Sequence, residues 1–109
     1  SSVKDLTSNG NRIIAVDSKG LVKAFGTATG ARIWEQEDLK LRKLTAPASI
    51  SNLIAIGDFE GYIHLLNAQS GNFEGREKVS RNAITEIVSQ GSYLLVADES
   101  GRVQKFTIK

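Results

Sequence analysis

The sequence has 109 residues, enough for one domain or part of a larger one, and its 40% hydrophobic and 24% charged content is ordinary for a folded protein. The net charge of +2, carried by scattered basic residues, does not favour nucleic-acid binding. There is no cysteine and a single histidine, His64, which excludes disulfides, cysteine nucleophiles and multi-histidine metal sites. No apolar run approaches the roughly 18 residues of a membrane-spanning helix.

One pattern occurs three times along the chain: an apolar run, then Asp-x-x-Gly, then a run of mixed polarity. Successive copies are 41 and 40 residues apart, and a second pair of glycines also differs by 41 positions. A period of about 40 residues made of short strands is typical of a four-stranded propeller blade. The residues assigned to structural turns by this pattern are Asp17, Gly20, Gly30, Asp58, Gly61, Gly71, Asp98 and Gly101.

The predicted strands are short and carry the composition of buried or half-buried sheet. In chain order they span residues 3–7, 12–17, 21–25 and 32–35, then 44–50, 53–57, 62–66 and 73–78, then 84–89, 93–97 and 102–108. Pro47 falls inside one of them, which a sheet tolerates only at an edge or a bulge. Residues 35–44 lack helical periodicity and are predicted to connect two blades.

These strands predict an all-β fold, a partial β-propeller of four-stranded antiparallel blades. The predicted blades are residues 1–38 and 39–79, and residues 80–109 supply three strands of a last one, roughly 2.7 blades in all. A closed propeller needs at least about four blades, so we expect a longer chain of which this is the end. The last predicted strand should then present an unpaired edge.

The repeated aspartates are interpreted as turn residues, since Asp suits the first position of a type I turn and Gly the last. Positive φ is predicted for the three glycines that close Asp-x-x-Gly. Trp34 is predicted to pack between blades. Glu35, Glu37 and Asp38 are interpreted as a solvated loop, not as a pair of catalytic carboxylates. His64 is interpreted as structural, on the argument that no carboxylate or second histidine lies near it in the sequence.

A candidate partner patch lies in the predicted connector, where apolar and cationic residues alternate. The favoured interpretation places the leucines beneath the blade and the charges in solvent, and the alternative is a protein-binding surface. The residues of this candidate patch are Leu39, Lys40, Leu41, Arg42 and Lys43.

Asp-x-x-Gly followed by Thr-Gly-x-x-x-Trp resembles the pyrroloquinoline-quinone-type propeller repeat. Over essentially all 109 residues the chain is also similar to the closing blades of the BamB family, the outer-membrane protein assembly factors of Gram-negative bacteria. The residues that carry this resemblance are 9–13 (Asn-Gly-Asn-Arg-Ile), Leu39, Arg42, 44–47 (Leu-Thr-Ala-Pro), 57–62 (Gly-Asp-Phe-Glu-Gly-Tyr) and 85–86 (Thr-Glu).

The resemblance implies an eight-bladed propeller without catalytic activity or cofactor. It implies a lipoprotein on the periplasmic face of the outer membrane, held by a lipid anchor outside this sequence. Its implied role is a scaffold in the β-barrel assembly machinery, and its implied partners are the periplasmic domains of BamA, other assembly subunits and unfolded outer-membrane clients. No partner contact is transferred to a residue of this chain, because the surfaces associated with BamA belong to earlier blades.

Two alternatives belong to other classes of protein. Quinone-dependent dehydrogenases share the repeat, but they use many blade-docking tryptophans, a vicinal cysteine pair and calcium carboxylates, whereas this chain has one tryptophan and no cysteine. A generic propeller interaction module outside the outer membrane is the other alternative.

Overall fold

The computed structural model describes residues 2–108, which form eleven β-strands in three antiparallel sheets and no helix. The first sheet contains β1 Val3–Asn9, β2 Arg12–Asp17, β3 Val22–Gly26 and β4 Arg32–Gln36. The second contains β5 Ala48–Ile50, β6 Leu53–Gly57, β7 Tyr62–Asn67 and β8 Phe73–Lys78, and the third β9 Ile84–Gln90, β10 Tyr93–Asp98 and β11 Val103–Thr107. Within each sheet the strands lie in sequence order. None of the described residues forms a helix of the length and apolarity that crossing a membrane requires.

The three sheets stack face to face, with the second buried on both sides. Its central strand β6 alternates accordingly: Ile54 and Ile56 join a core shared with the first sheet, and Ala55 joins a core shared with the third. Strand β5 contacts both β1 and β9, so the first strands of the three sheets lie side by side. This arrangement confirms the predicted all-β fold of consecutive antiparallel blades.

Strand β5 is shorter than the sequence predicts, and Pro47 precedes it instead of lying within it. Proline has no N–H to donate to a sheet ladder, so regular pairing begins only at Ala48. Thr45 nevertheless reaches the far end of β6. Its N–H donates to the Gly57 carbonyl at 2.9 Å, and its hydroxyl accepts the Gly57 N–H at 3.0 Å. The segment between β4 and β5 therefore joins the second sheet through one backbone and one side-chain hydrogen bond of Thr45.

Candidate functional site

Each of the three repeated aspartates builds the same turn. Its Oδ1 accepts the backbone N–H groups of the residues two and four positions later, at 2.9 to 3.3 Å. Its carbonyl accepts the N–H of the glycine three positions later, at 3.0 to 3.3 Å. The φ angles of Gly20, Gly61 and Gly101 are 86°, 91° and 91°, so the predicted positive values are observed. All three turns lie between the second and third strands of their sheets.

In the second and third sheets, the other carboxylate oxygen of this aspartate holds the segment that enters the sheet. Oδ2 of Asp58 accepts a hydrogen bond from Arg42 Nη1 at 3.1 Å, and Oδ2 of Asp98 accepts one from the Ser80 hydroxyl at 2.7 Å. Hydrogen bonds from Ser100 and then Ser80 lower the pKa of Asp98 to about 2. The aspartates therefore fix incoming segments as well as turns.

His64 lies beside one of these aspartates, which corrects the argument made from the sequence. Its side chain is only 2% exposed, and Nε2 lies 2.7 Å from Asp58 Oδ2. The carboxylate of Asp58, which lies six positions earlier in the chain and across the turn, is therefore in contact with His64. The same spacing recurs in the first sheet, where Lys23 Nζ lies 4.0 Å from Asp17 Oδ2. This repeated spacing was the signal in the sequence that could have revealed the pair.

Burial and charge set the protonation of this pair. Burial and the positive charges of Arg42 and Arg76 together lower the pKa of His64, although the hydrogen bond to Asp58 and the charge of Asp58 raise it. Burial by itself raises the pKa of Asp58, but hydrogen bonds from His64 and from backbone N–H groups outweigh it and lower the value overall. At neutral pH a neutral imidazole therefore donates its Nε2 proton to an ionised carboxylate.

His64, but not Asp58, lines a cleft of about 530 Å³ between the second sheet and the segment that precedes it. Arg42, Phe73 and Arg76 line the same cleft, and Arg42 also contacts Glu60 Oε1 at 3.3 Å. Within residues 2–108, no three side chains of His, Asp or Glu are placed to share a metal ion. The contact between Arg42 and Asp58 fixes the segment between β4 and β5 to the second sheet. This segment, residues 37–47 in the structure, is called the connector from here on.

The five residues of the candidate partner patch lie in this connector but are exposed to different degrees. Leu39 is buried in the core between the first two sheets, as the favoured interpretation expects. Leu41 is 89% exposed, so that interpretation is wrong for this residue. Leu41 and Lys43 also have positive φ angles of 64° and 51°. Lys40 and Lys43 are exposed, and Arg42 is half-buried against Asp58.

Trp34 packs between sheets, as predicted. Its ring is in the core shared by the first and second sheets, and Nε1 donates to the Ala68 carbonyl at 2.9 Å. A Cβ at Gly71 would overlap that ring, so the repeated glycine also makes room for the tryptophan. The nearby acidic residues are solvent-facing, with Glu35 paired to Arg32 at 2.9 Å and Glu37 3.9 Å from Lys40.

Consecutive antiparallel sheets, a turn aspartate repeated in each, and a tryptophan seated between two of them define a β-propeller repeat protein. The family described as "Outer membrane protein assembly factor BamB" matches residues 1–108. BamB of Escherichia coli strain K12 is 36% identical over 107 residues, covering 97% of this chain and 27% of that relative. BamB of Bordetella pertussis is 38% identical over 97 residues, covering 81% and 25%.

The crystal structure of BamB from Moraxella catarrhalis is similar with a TM-score of 0.88 and 34% identity, covering 94% of this chain and 30% of that one. The chain therefore belongs to the BamB family of outer-membrane protein assembly factors. It spans about a quarter of the length of the curated relatives it matches.

Proposed function

We propose that this chain is part of a non-catalytic scaffold subunit of the machinery that assembles β-barrel proteins in the Gram-negative outer membrane. The observation that carries the proposal is the family relationship: 36% identity over 97% of the chain to a named assembly factor. The subunit is a lipoprotein on the periplasmic face of that membrane, with its lipid anchor outside these residues. A quinone-dependent dehydrogenase is the less favoured alternative.

The partners of the subunit are the periplasmic domains of BamA, together with other assembly subunits and unfolded outer-membrane clients. Within this chain the blades are residues 1–38, 39–79 and 80–109, of which positions 1 and 109 lie outside the described residues. The division is supported by the three sheets, whose strands fall within residues 3–36, 48–78 and 84–107. The candidate partner patch at residues 39–43 contributes to the contact surface, a role that the exposure of Leu41 supports.

Co-purification tests the scaffold role. The full-length protein, tagged and isolated from detergent-solubilised outer membranes, should recover BamA, whereas an equally abundant tagged lipoprotein of the same membrane should not. Recovery of the folded protein without BamA would overturn the proposal. A quinone absorbance band, or calcium-dependent reduction of a dye by the same preparation, would favour the dehydrogenase instead.

A further inference from the structure

A basic pocket of about 220 Å³ lies where the connector passes the Asp-x-x-Gly turn of the first sheet. Lys4, Lys19 and Lys43 line it, with Leu41 and Leu44 among the apolar residues of its wall. Within residues 2–108, none of these three lysines has a carboxylate oxygen within 4.0 Å, and Lys4 Nζ donates instead to the Leu44 carbonyl at 3.1 Å. The carboxylate that lines the pocket, Asp17, hydrogen-bonds to the backbone of its own turn. The pocket therefore presents a local excess of positive charge.

Two exposed apolar residues lie in or next to the connector: Leu41, which lines the pocket, and Phe59, which is bonded to the connector backbone. Leu41 is 89% exposed and is held at a φ of 64°, a strained conformation for a residue other than glycine that is often found at ligand-binding positions. Phe59 is 44% exposed, and its N–H donates to the Arg42 carbonyl at 3.0 Å, which places it next to the connector.

The internal repeats show that an exposed phenylalanine at this turn is unusual for the molecule. The position directly after the turn aspartate is Ser18 in the first sheet and Glu99 in the third, both polar and exposed. Only the turn of the second sheet has an apolar residue there. Leu41 therefore shares the pocket with the three lysines, and Phe59 is bonded to Arg42, the residue between Leu41 and Lys43.

We propose that this surface, the basic connector patch of Lys4, Lys19, Leu41, Lys43 and Phe59, binds an acidic segment of a partner protein. In such a segment, carboxylates meet the three lysines, and a bulky apolar side chain between them packs on Leu41 and Phe59. A concave pocket lined by lysines fits protruding carboxylate side chains better than it fits the plane of an anionic membrane. This binding would define the chemistry of one partner of the proposed scaffold. It rests on the proposed function in one respect, which is that the partner is a protein.

Fluorescence anisotropy of the full chain with two labelled peptides tests the proposal. The peptides are Asp-Glu-Leu-Phe-Glu-Asp and its amide counterpart Asn-Gln-Leu-Phe-Gln-Asn. The acidic peptide should bind about tenfold more tightly, and Lys19→Glu and Lys43→Glu should each weaken it by about fivefold, since an exposed ion pair contributes up to about 1 kcal/mol. Lys78→Glu, on β8, is the charge-matched control and should leave binding unchanged.

Leu41→Gly separates binding from folding. Glycine adopts a φ of 64° without strain, so the melting temperature should stay the same or rise while peptide affinity falls about fivefold. Equal affinity for the two peptides, equal effects of Lys43→Glu and Lys78→Glu, or unchanged affinity in Leu41→Gly would each overturn the proposal. So would lysine-dependent binding to phosphatidylglycerol vesicles without peptide binding. Loss of BamA from the co-purification with peptide binding intact would instead count against the proposed function alone.

Discussion

Gly61→Ala should destabilise the protein much more than Gly101→Ala, although the two glycines have the same φ of 91°. At Gly61 an added Cβ would lie 2.7 Å from the carbonyl carbon of Ser80, closer still to its oxygen, and 3.0 Å from the Asn82 carbonyl oxygen. At Gly101 it would meet nothing within 4 Å. Gly101→Ala is therefore a matched control for backbone conformation without steric overlap.

The expected magnitudes follow from these contacts. Placing alanine in the left-handed region costs about 1–2 kcal/mol at either position. At Gly61 the overlap must also displace the segment that follows β8. That displacement breaks the hydrogen bonds from Val79 N–H and Ser80 N–H to the Gly61 carbonyl, at 2.9 and 3.3 Å. At about 1 kcal/mol each, these losses bring Gly61→Ala to about 3–4 kcal/mol, roughly 2 kcal/mol more than its control.

Urea unfolding of the full chain, followed by circular dichroism, measures the difference. With a denaturant dependence of about 1–3 kcal/mol/M, the midpoint for Gly61→Ala should lie about 1 M below that for Gly101→Ala. Equal midpoints for the two variants would refute the reasoning, because they would mean that the segment after β8 does not pack on the turn of the second sheet.

Four other results are expected. Trp34→Ala should cost about 3 kcal/mol or more in calorimetry, since it removes a buried ring and its hydrogen bond to a carbonyl. The free energy of unfolding should fall as pH decreases below 6.5, because the unfolded chain protonates His64 more readily than the folded chain does, and His64→Gln should remove this dependence. Ser100→Ala should raise the pKa of Asp98 from about 2, as measured by NMR titration. The stability that ionised Asp98 contributes is present above pH 3.8 and is lost as pH falls toward 2. The 109-residue chain should self-associate in sedimentation through β11, which pairs only with β10 among the described strands.

Much of the fold could be predicted because the signals repeat. Strands β2, β6 and β8 have the predicted bounds, since apolar composition and an adjacent turn define them locally. The start of β5 could not be predicted in the same way. Thr45 bonds to Gly57 from outside the regular ladder, and Pro47 then interrupts it, so the boundary depends on contacts with another strand.

The candidate sites were less accessible to sequence reasoning for the same physical reason. His64 lies six positions after Asp58, and only the reversal of the chain at the turn brings their side chains into contact. In the connector, Leu39 and Leu41 are identical in chemistry and two positions apart, yet one is buried and the other exposed. The left-handed conformation of Leu41 belongs to a segment held by Asp58, so its exposure depends on tertiary contacts that composition cannot show.

Calorimetric titration of the full-length protein with the purified periplasmic domains of BamA tests the scaffold role most directly. Saturable one-to-one binding is expected, and it should persist in His64→Gln, because that residue is buried and serves the fold. No binding by a preparation that circular dichroism shows to be folded would contradict the proposed function.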